Sequence, residues 1–219
     1  MPEETLSVLR HRVRTWAPDG LPDSAALVLY CHGYYVNLDQ AWEKHHLARQ
    51  FAASGSTARF VAVDTPSSSS ERVSYADLEK LLDALDKQLR LPTGPVVVIG
   101  HSGAYRTLVH WLKYPWLDHL ILLDACYGGI AQFETWGKDL AHAMTLVGAS
   151  AKPKKNAKAI AKKLDAVMRA DVPTSFEGFS EEERAARVLY LDSQYDHFGI
   201  VTSEKVIPTL VRRALPVVH

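Results

Sequence analysis

The stretch that decides the fold is PVVVIGHSGAYR, residues 95–106. Val96 to Ile99 are apolar on successive positions and run into Gly100. Successive rather than alternating apolar residues are the pattern of a short strand covered on both faces. Residues 104–114 read as a helix, which Pro115 ends. Ser102 therefore falls on the turn between strand and helix, with Gly100 and Gly103 beside it. A side chain on so sharp a turn needs small neighbours, because the backbone is strained there. The helix start behind it favours developing negative charge. A serine so placed is a candidate nucleophile.

Working outward, the same kind of run recurs. Ala26–Cys31 (ALVLYC) ends in His32–Gly33, Phe60–Val63 ends at Asp64, Leu120–Leu123 at Asp124, and Val188–Leu191 at Asp192. Residues 5–16 read as an opening strand. Between these runs, residues 41–53 and 75–90 carry helical spacing. The latter has its apolar stripe on Tyr75, Leu78, Leu81, Leu82, Leu85 and Leu89, and Ser74 is its expected cap. Strands alternating with helices imply an α/β fold: a mostly parallel central sheet with helices on both faces. A polar loop spans 65–74. Residues 128–187 offer no convincing strand and read as two or three helices, around 131–147, 155–170 and 180–187. The lysines of the middle helix read as a solvated face. A last helix is expected near 203–214.

The chain has 219 residues, 47% of them apolar, which suits a single domain over 1–219. Twenty-five basic residues balance 25 acidic ones. A net charge of zero gives no general attraction to nucleic acid or anionic lipid. Mean hydropathy is −0.11, and no apolar run approaches the roughly 18 residues of a membrane span. The N-terminus lacks the apolar stretch of a secretory signal, and the two cysteines, Cys31 and Cys126, read as buried free thiols. The expected compartment is the cytoplasm. No metal-site spacing and no phosphate-binding glycine loop occurs, so neither metal nor cofactor is expected.

The G-x-S-x-G pattern of residues 100–104, with Ala104 in place of the final glycine, resembles the nucleophile elbow of the α/β-hydrolase superfamily, the serine esterases and lipases among them. The order of elements resembles it over most of the chain. The resemblance implies that the His–Gly pair in CHGYY, residues 31–35, precedes one oxyanion-hole donor. The donors would then be the backbone N–H groups of Tyr34 and Gly103. It places the base at His197, in LDSQYDHFGIV after the last strand. The other histidines fit that role less well: His32 reads as structural, His101 adjoins the serine and His219 is terminal. The acid is Asp124 or Asp192. Most members carry it one strand later than Asp124, but the last strand leads directly to His197 and leaves no separate strand for it. That count favours Asp124.

The resemblance also implies that residues 128–187 form a helical cap-like insertion. Tyr35, Tyr127 and Trp136, with Tyr34 and Phe133, are candidates to line a substrate pocket beneath it. Arg106 is expected to pair with an acid. The function implied is a serine hydrolase cleaving a carboxylic ester of modest acyl size through an acyl-enzyme on Ser102. Amide or thioester cleavage, or acyl transfer, would use the same triad. A catalytically silent binding module of the same fold is the other reading.

Overall fold

Leu27, Leu29 and Cys31 pack on one side of the sheet, and Ala26, Val28 and Tyr30 on the other. All six are buried, so the strand they form needs a helical layer on each face. The computed structural model describes residues 3–215. Among them, nine strands make one sheet: β1 (Glu3–Val8), β2 (His11–Trp16), β3 (Ala26–Cys31), β4 (Ala58–Val63), β5 (Val96–His101), β6 (His119–Leu123), β7 (Ala143–Gly148), β8 (Val167–Arg169) and β9 (Val188–Asp192). Their order is β1-β2-β4-β3-β5-β6-β7-β9-β8. The pairs β1–β2 and β2–β4 are antiparallel, and every other pair is parallel.

Helices α1 (Leu38–Lys44), α2 (Leu47–Ala53), α3 (Leu78–Leu89), α4 (Tyr105–Trp111), α5 (Ile130–Gly137), α6 (Ala151–Lys163), α7 (Glu181–Ala185), α8 (Gly199–Thr202) and α9 (Val206–Ala214) follow in chain order. α3, α4, α5 and α6 cover one face, and α1, α2, α8 and α9 the other. Leu78, Leu81 and Leu85 of α3 show how this holds together. They recur at helical spacing, and each buried leucine contributes about 2 kcal/mol. The cap of α3 is Asp77, whose carboxylate accepts from the Lys80 N–H, rather than Ser74.

Three further expectations are corrected. The opening strand is a hairpin that turns at Leu9 and Arg10, with φ of 48° and 70°. A two-residue loop with positive φ at both positions is the kind usually supplied by Asn-Gly, and Leu-Arg conceals that signal. Residues 41–53 are not one helix: His46, at φ 49°, separates α1 from α2. Most consequentially, residues 128–187 are not a strand-free insertion. β7 lies in the middle of the sheet, paired with β6 and β9, and β8 forms an edge. The segment continues the sheet and its helical layers instead of capping them. Ala141, Ala143 and Met144 favour helices, and a short apolar run cannot be told from a buried helical turn by periodicity.

Candidate active site

β5 and β6 run side by side with His101 opposite Leu123. Ser102 and Asp124 are the next residues, so both leave the sheet at the same level of its carboxyl edge. Both have left-handed backbones, at φ 52° and 47°. For residues with a Cβ this costs about 1 kcal/mol or more, and such strain gathers at functional sites. Tight packing holds the Ser102 turn. A Cβ on Gly100 would lie 2.3 Å from Leu108 Cδ1, and one on Gly33 would lie 2.6 Å from Ser102 Cβ. Ala104 is fully buried in the cluster under α4, so its methyl group is accommodated.

His197 lies between β9 and α8. Its Nδ1 is 2.7 Å from Asp124 Oδ2. Asp124 is completely buried, and its carboxylate also accepts from the Ala149 and Ser150 amides and from the Ser150 hydroxyl. Burial alone would push its pKa up. The hydrogen bonds from His197, Ser150 and the two amides outweigh burial and hold it below the usual carboxylate range. Asp124 is thus ionised at neutral pH. With Nδ1 turned to Asp124, Nε2 of His197 is the ring nitrogen left to face a substrate.

Asp192, the alternative acid, accepts from Lys158 Nζ at 2.8 Å and pairs with Lys154. Two lysines engage it, and among the described residues no hydrogen bond or ion pair joins it to His197. A strand does separate β6 from β9, contrary to the count that favoured Asp124. Its exit carries Ala149 and Ser150, and both reach back to Asp124.

Ser102 and His197 line one cavity of 490 Å³, together with Gly103, Tyr34, Tyr35 and Tyr127. Ser102 is 8% exposed, so its access is through this cavity. The Tyr34 N–H makes no backbone hydrogen bond among the described residues. Gly103 is the second residue of a short 3-10 turn that begins at Ser102, where the first N–H groups lack internal partners. The Tyr34 ring covers Gly103 so closely that a Cβ there would lie 2.5 Å from it. The His32–Gly33 turn is held by its own histidine: Thr65 N–H donates to His32 Nε2, so Nδ1–H donates to the Gly33 carbonyl.

Among the described residues Arg106 has no acid partner, which corrects that expectation. Its guanidinium donates to the carbonyls of Ser68, Ser69 and Glu71 and to the Tyr34 hydroxyl. It thereby fixes the 68–71 loop beside Tyr34. His101 packs its ring 4.6 Å from that of His197, and its Nε2–H donates to the His197 carbonyl at 3.0 Å. Burial pulls His101 down to about 3, so it is neutral and serves as a fixed wall.

Trp136 does not reach this cavity, and its expected pocket role is corrected. It sits on α5 and stacks on His142 at 4.4 Å, lining a separate depression with Val109 and Leu112. Phe133 is core. Once α5 leads into a sheet strand, its apolar face must pack on the sheet. Sequence reasoning missed Tyr105, Ser150, Lys152 and Phe198, which also line the cavity. Ser150 was hidden because the strand before it was hidden; Phe198 could have been read from its place beside His197.

Both cysteines are free and buried. Burial pushes Cys126 up to about 12 and raises Cys31 too, so neither supplies a thiolate at neutral pH. Among the described residues, no group of three metal-binding side chains converges, and no helix is long and apolar enough to cross a membrane. His219 lies outside the described residues.

The sequence matches the model of the Alpha/beta hydrolase family over residues 28–215. No curated protein matches it. Its fold is similar to that of carboxyl esterase 2 from the fungus Tuber melanosporum, at TM-score 0.66 and 11% identity, over 98% of this chain and 87% of that one. It is also similar to a predicted CIB-like hydrolase from Thermoplasma acidophilum, at TM-score 0.61 and 18% identity, over 98% of each chain. A thioesterase domain from the curacin biosynthetic pathway matches at TM-score 0.56 and 14% identity, over 96% of this chain and 98% of that one. At such identities the likeness is one of fold.

Proposed function

The chain belongs to the alpha/beta hydrolase family, and from that premise we propose that it is a serine hydrolase that cleaves a carboxylic ester of modest acyl size. The observation that carries the reading is the contact of His197 Nδ1 with buried Asp124, at the rear of the cavity that Ser102 lines. Ser102 Oγ attacks the ester carbonyl carbon while His197 Nε2 takes the hydroxyl proton. The carbonyl oxygen becomes an oxyanion facing the N–H groups of Tyr34 and Gly103. One such donor supplies about 3–4 kcal/mol of transition-state stabilisation. The tetrahedral adduct collapses, and the alcohol leaves with the proton from His197. Water then attacks the acyl-Ser102 carbonyl, giving up a proton to His197. The acid departs and that proton returns to Ser102. Asp124 holds the imidazole in the tautomer these steps need.

The test is direct. A fluorophosphonate probe should label the peptide that carries Ser102, and 4-nitrophenyl esters of short and medium chain should be turned over. A folded protein that does neither overturns the reading.

Ser150 gives a finer prediction. Its hydroxyl is a positioning group for Asp124, so Ser150→Ala should lower kcat/KM by about tenfold, the worth of one charge-assisted hydrogen bond. Loss of that donor lets the carboxyl pKa rise. Since Asp124 must be ionised, activity should begin to fall at a higher pH on acidification. An unshifted acidic limb counts against this role.

A further inference from the structure

The cavity that holds Ser102 is lined by ten residues, of which none is a carboxylate and one, Lys152, is a lysine. Lys152 is exposed and makes no ion pair or hydrogen bond among the described residues. Lys155 and Lys162 on the same helix are likewise without an ion pair among the described residues, but Lys152 is the one that lines the cavity. Lys154 and Lys158 are matched by Asp192, and Lys163 by Glu134. The acid of the site, Asp124, is buried behind His197 and occupied by four donors. Among the described residues, the mouth of the site therefore has a cation with no carboxylate paired to it.

Local sequence makes that choice an expensive one. The first turn of α6 contains Lys152 and Lys154 and no acid. Cations are the disfavoured sign at that end of a helix. A residue that breaks a local rule and lines the reaction cavity is a candidate for function. The rest of the wall fits a ligand with an apolar body and one anionic end: Tyr34, Tyr35, Tyr105, Tyr127 and Phe198 supply aromatic surface, and Lys152 the charge.

We propose that Lys152 is a specificity-determining residue that recognises a carboxylate on the substrate, several bonds from the reacting carbonyl. The substrate class is an anionic ester, with the charge on either the acyl or the alcohol half. This rests on the serine-hydrolase reading and narrows it.

The experiment compares kcat/KM for matched esters in wild type, Lys152→Gln and Lys152→Glu. For the acyl half, the pair is the 4-nitrophenyl monoester of adipic acid and its methyl-capped neutral form. For the alcohol half, the pair is 4-carboxyphenyl and 4-carbamoylphenyl hexanoate. In one pair, the anionic-to-neutral ratio should fall about three- to tenfold in Lys152→Gln, as for a partly screened ion pair. It should fall further in Lys152→Glu, and the wild-type ratio should decline with added salt. The pair that responds identifies which half carries the charge. Equal ratios in all three proteins, with Ser102 still labelled by the fluorophosphonate, overturn the subsite and leave the hydrolase standing. Absence of labelling overturns both. Because Lys152 is exposed, neither variant should lose thermal stability, and Lys152→Glu should gain slightly as an acid in the first turn of α6.

Discussion

Ser102→Ala should reduce kcat by about five to six orders of magnitude and abolish fluorophosphonate labelling, with the fold unchanged. Loss of a triad nucleophile is worth roughly 10⁶ in kcat in a well-studied hydrolase, and about 10³–10⁴ over water survives through the oxyanion donors and binding. The same pattern is expected here because Tyr34 and Gly103 do not depend on the serine hydroxyl. Their positions are set by the packing of the Tyr34 ring on Gly103 and by Arg106. The serine hydroxyl makes no hydrogen bond to another residue among those described, so its removal costs little stability. Circular dichroism and a thermal melt check the fold, and a 4-nitrophenyl ester assay checks the rate. Activity within tenfold of wild type would sink the mechanism.

Asp124→Asn should cost about four orders of magnitude in kcat, the known scale for trapping a triad histidine in the wrong tautomer. The geometry makes the effect hard to escape. Both carboxylate oxygens of Asp124 accept from donors: the Ala149 and Ser150 amides on one side, and the Ser150 hydroxyl and His197 on the other. An asparagine NH₂ must face donors on one of those sides. If it faces His197, Nδ1 becomes the acceptor and Nε2 carries the proton, which disables the base. If it faces the backbone amides, two buried N–H groups lose their acceptor, at about 1–3 kcal/mol each. Asp192→Asn should change kcat less than about threefold, since its lysine pairs are partly exposed and such pairs are worth under about 1 kcal/mol. Equal losses in the two variants would remove the distinction.

Asp124 has its folded-state pKa depressed. Its charge therefore contributes stability above the unfolded value of about 3.9, and that contribution disappears as pH falls through the folded value. Acid denaturation of Asp124→Asn should accordingly be less steep than that of wild type.

How much of this was legible beforehand depended on the kind of signal. Runs such as ALVLYC and VVVI cannot stand except between two helical layers, so strands β3 and β5 and the α/β class were readable from them. The Gly33 and Gly100 contacts are likewise foreshadowed by the glycines themselves. β7 was not readable, because its residues are as apolar as a buried helix, and only pairing with β6 and β9 makes them a strand. The sequence favours Asp124 over Asp192 only through a strand count that omits β7. The structure brings Asp124 to His197 for a different reason: the exit of the overlooked strand presents Ser150, not an acid, and Ser150 binds Asp124.

The amino-acid order alone determined the layers and the strained serine at the sheet's carboxyl edge, which are short-range matters of periodicity, glycine and proline. The approximate place of the serine's partners came from the resemblance of the motifs to a known family. Three-dimensional packing alone decided which carboxylate meets His197, that Trp136 turns into the core, and that Lys152 faces the cavity unpaired. Each of those depends on atoms about 25 or more residues apart in the chain, and distance across a fold is a quantity that local sequence does not encode.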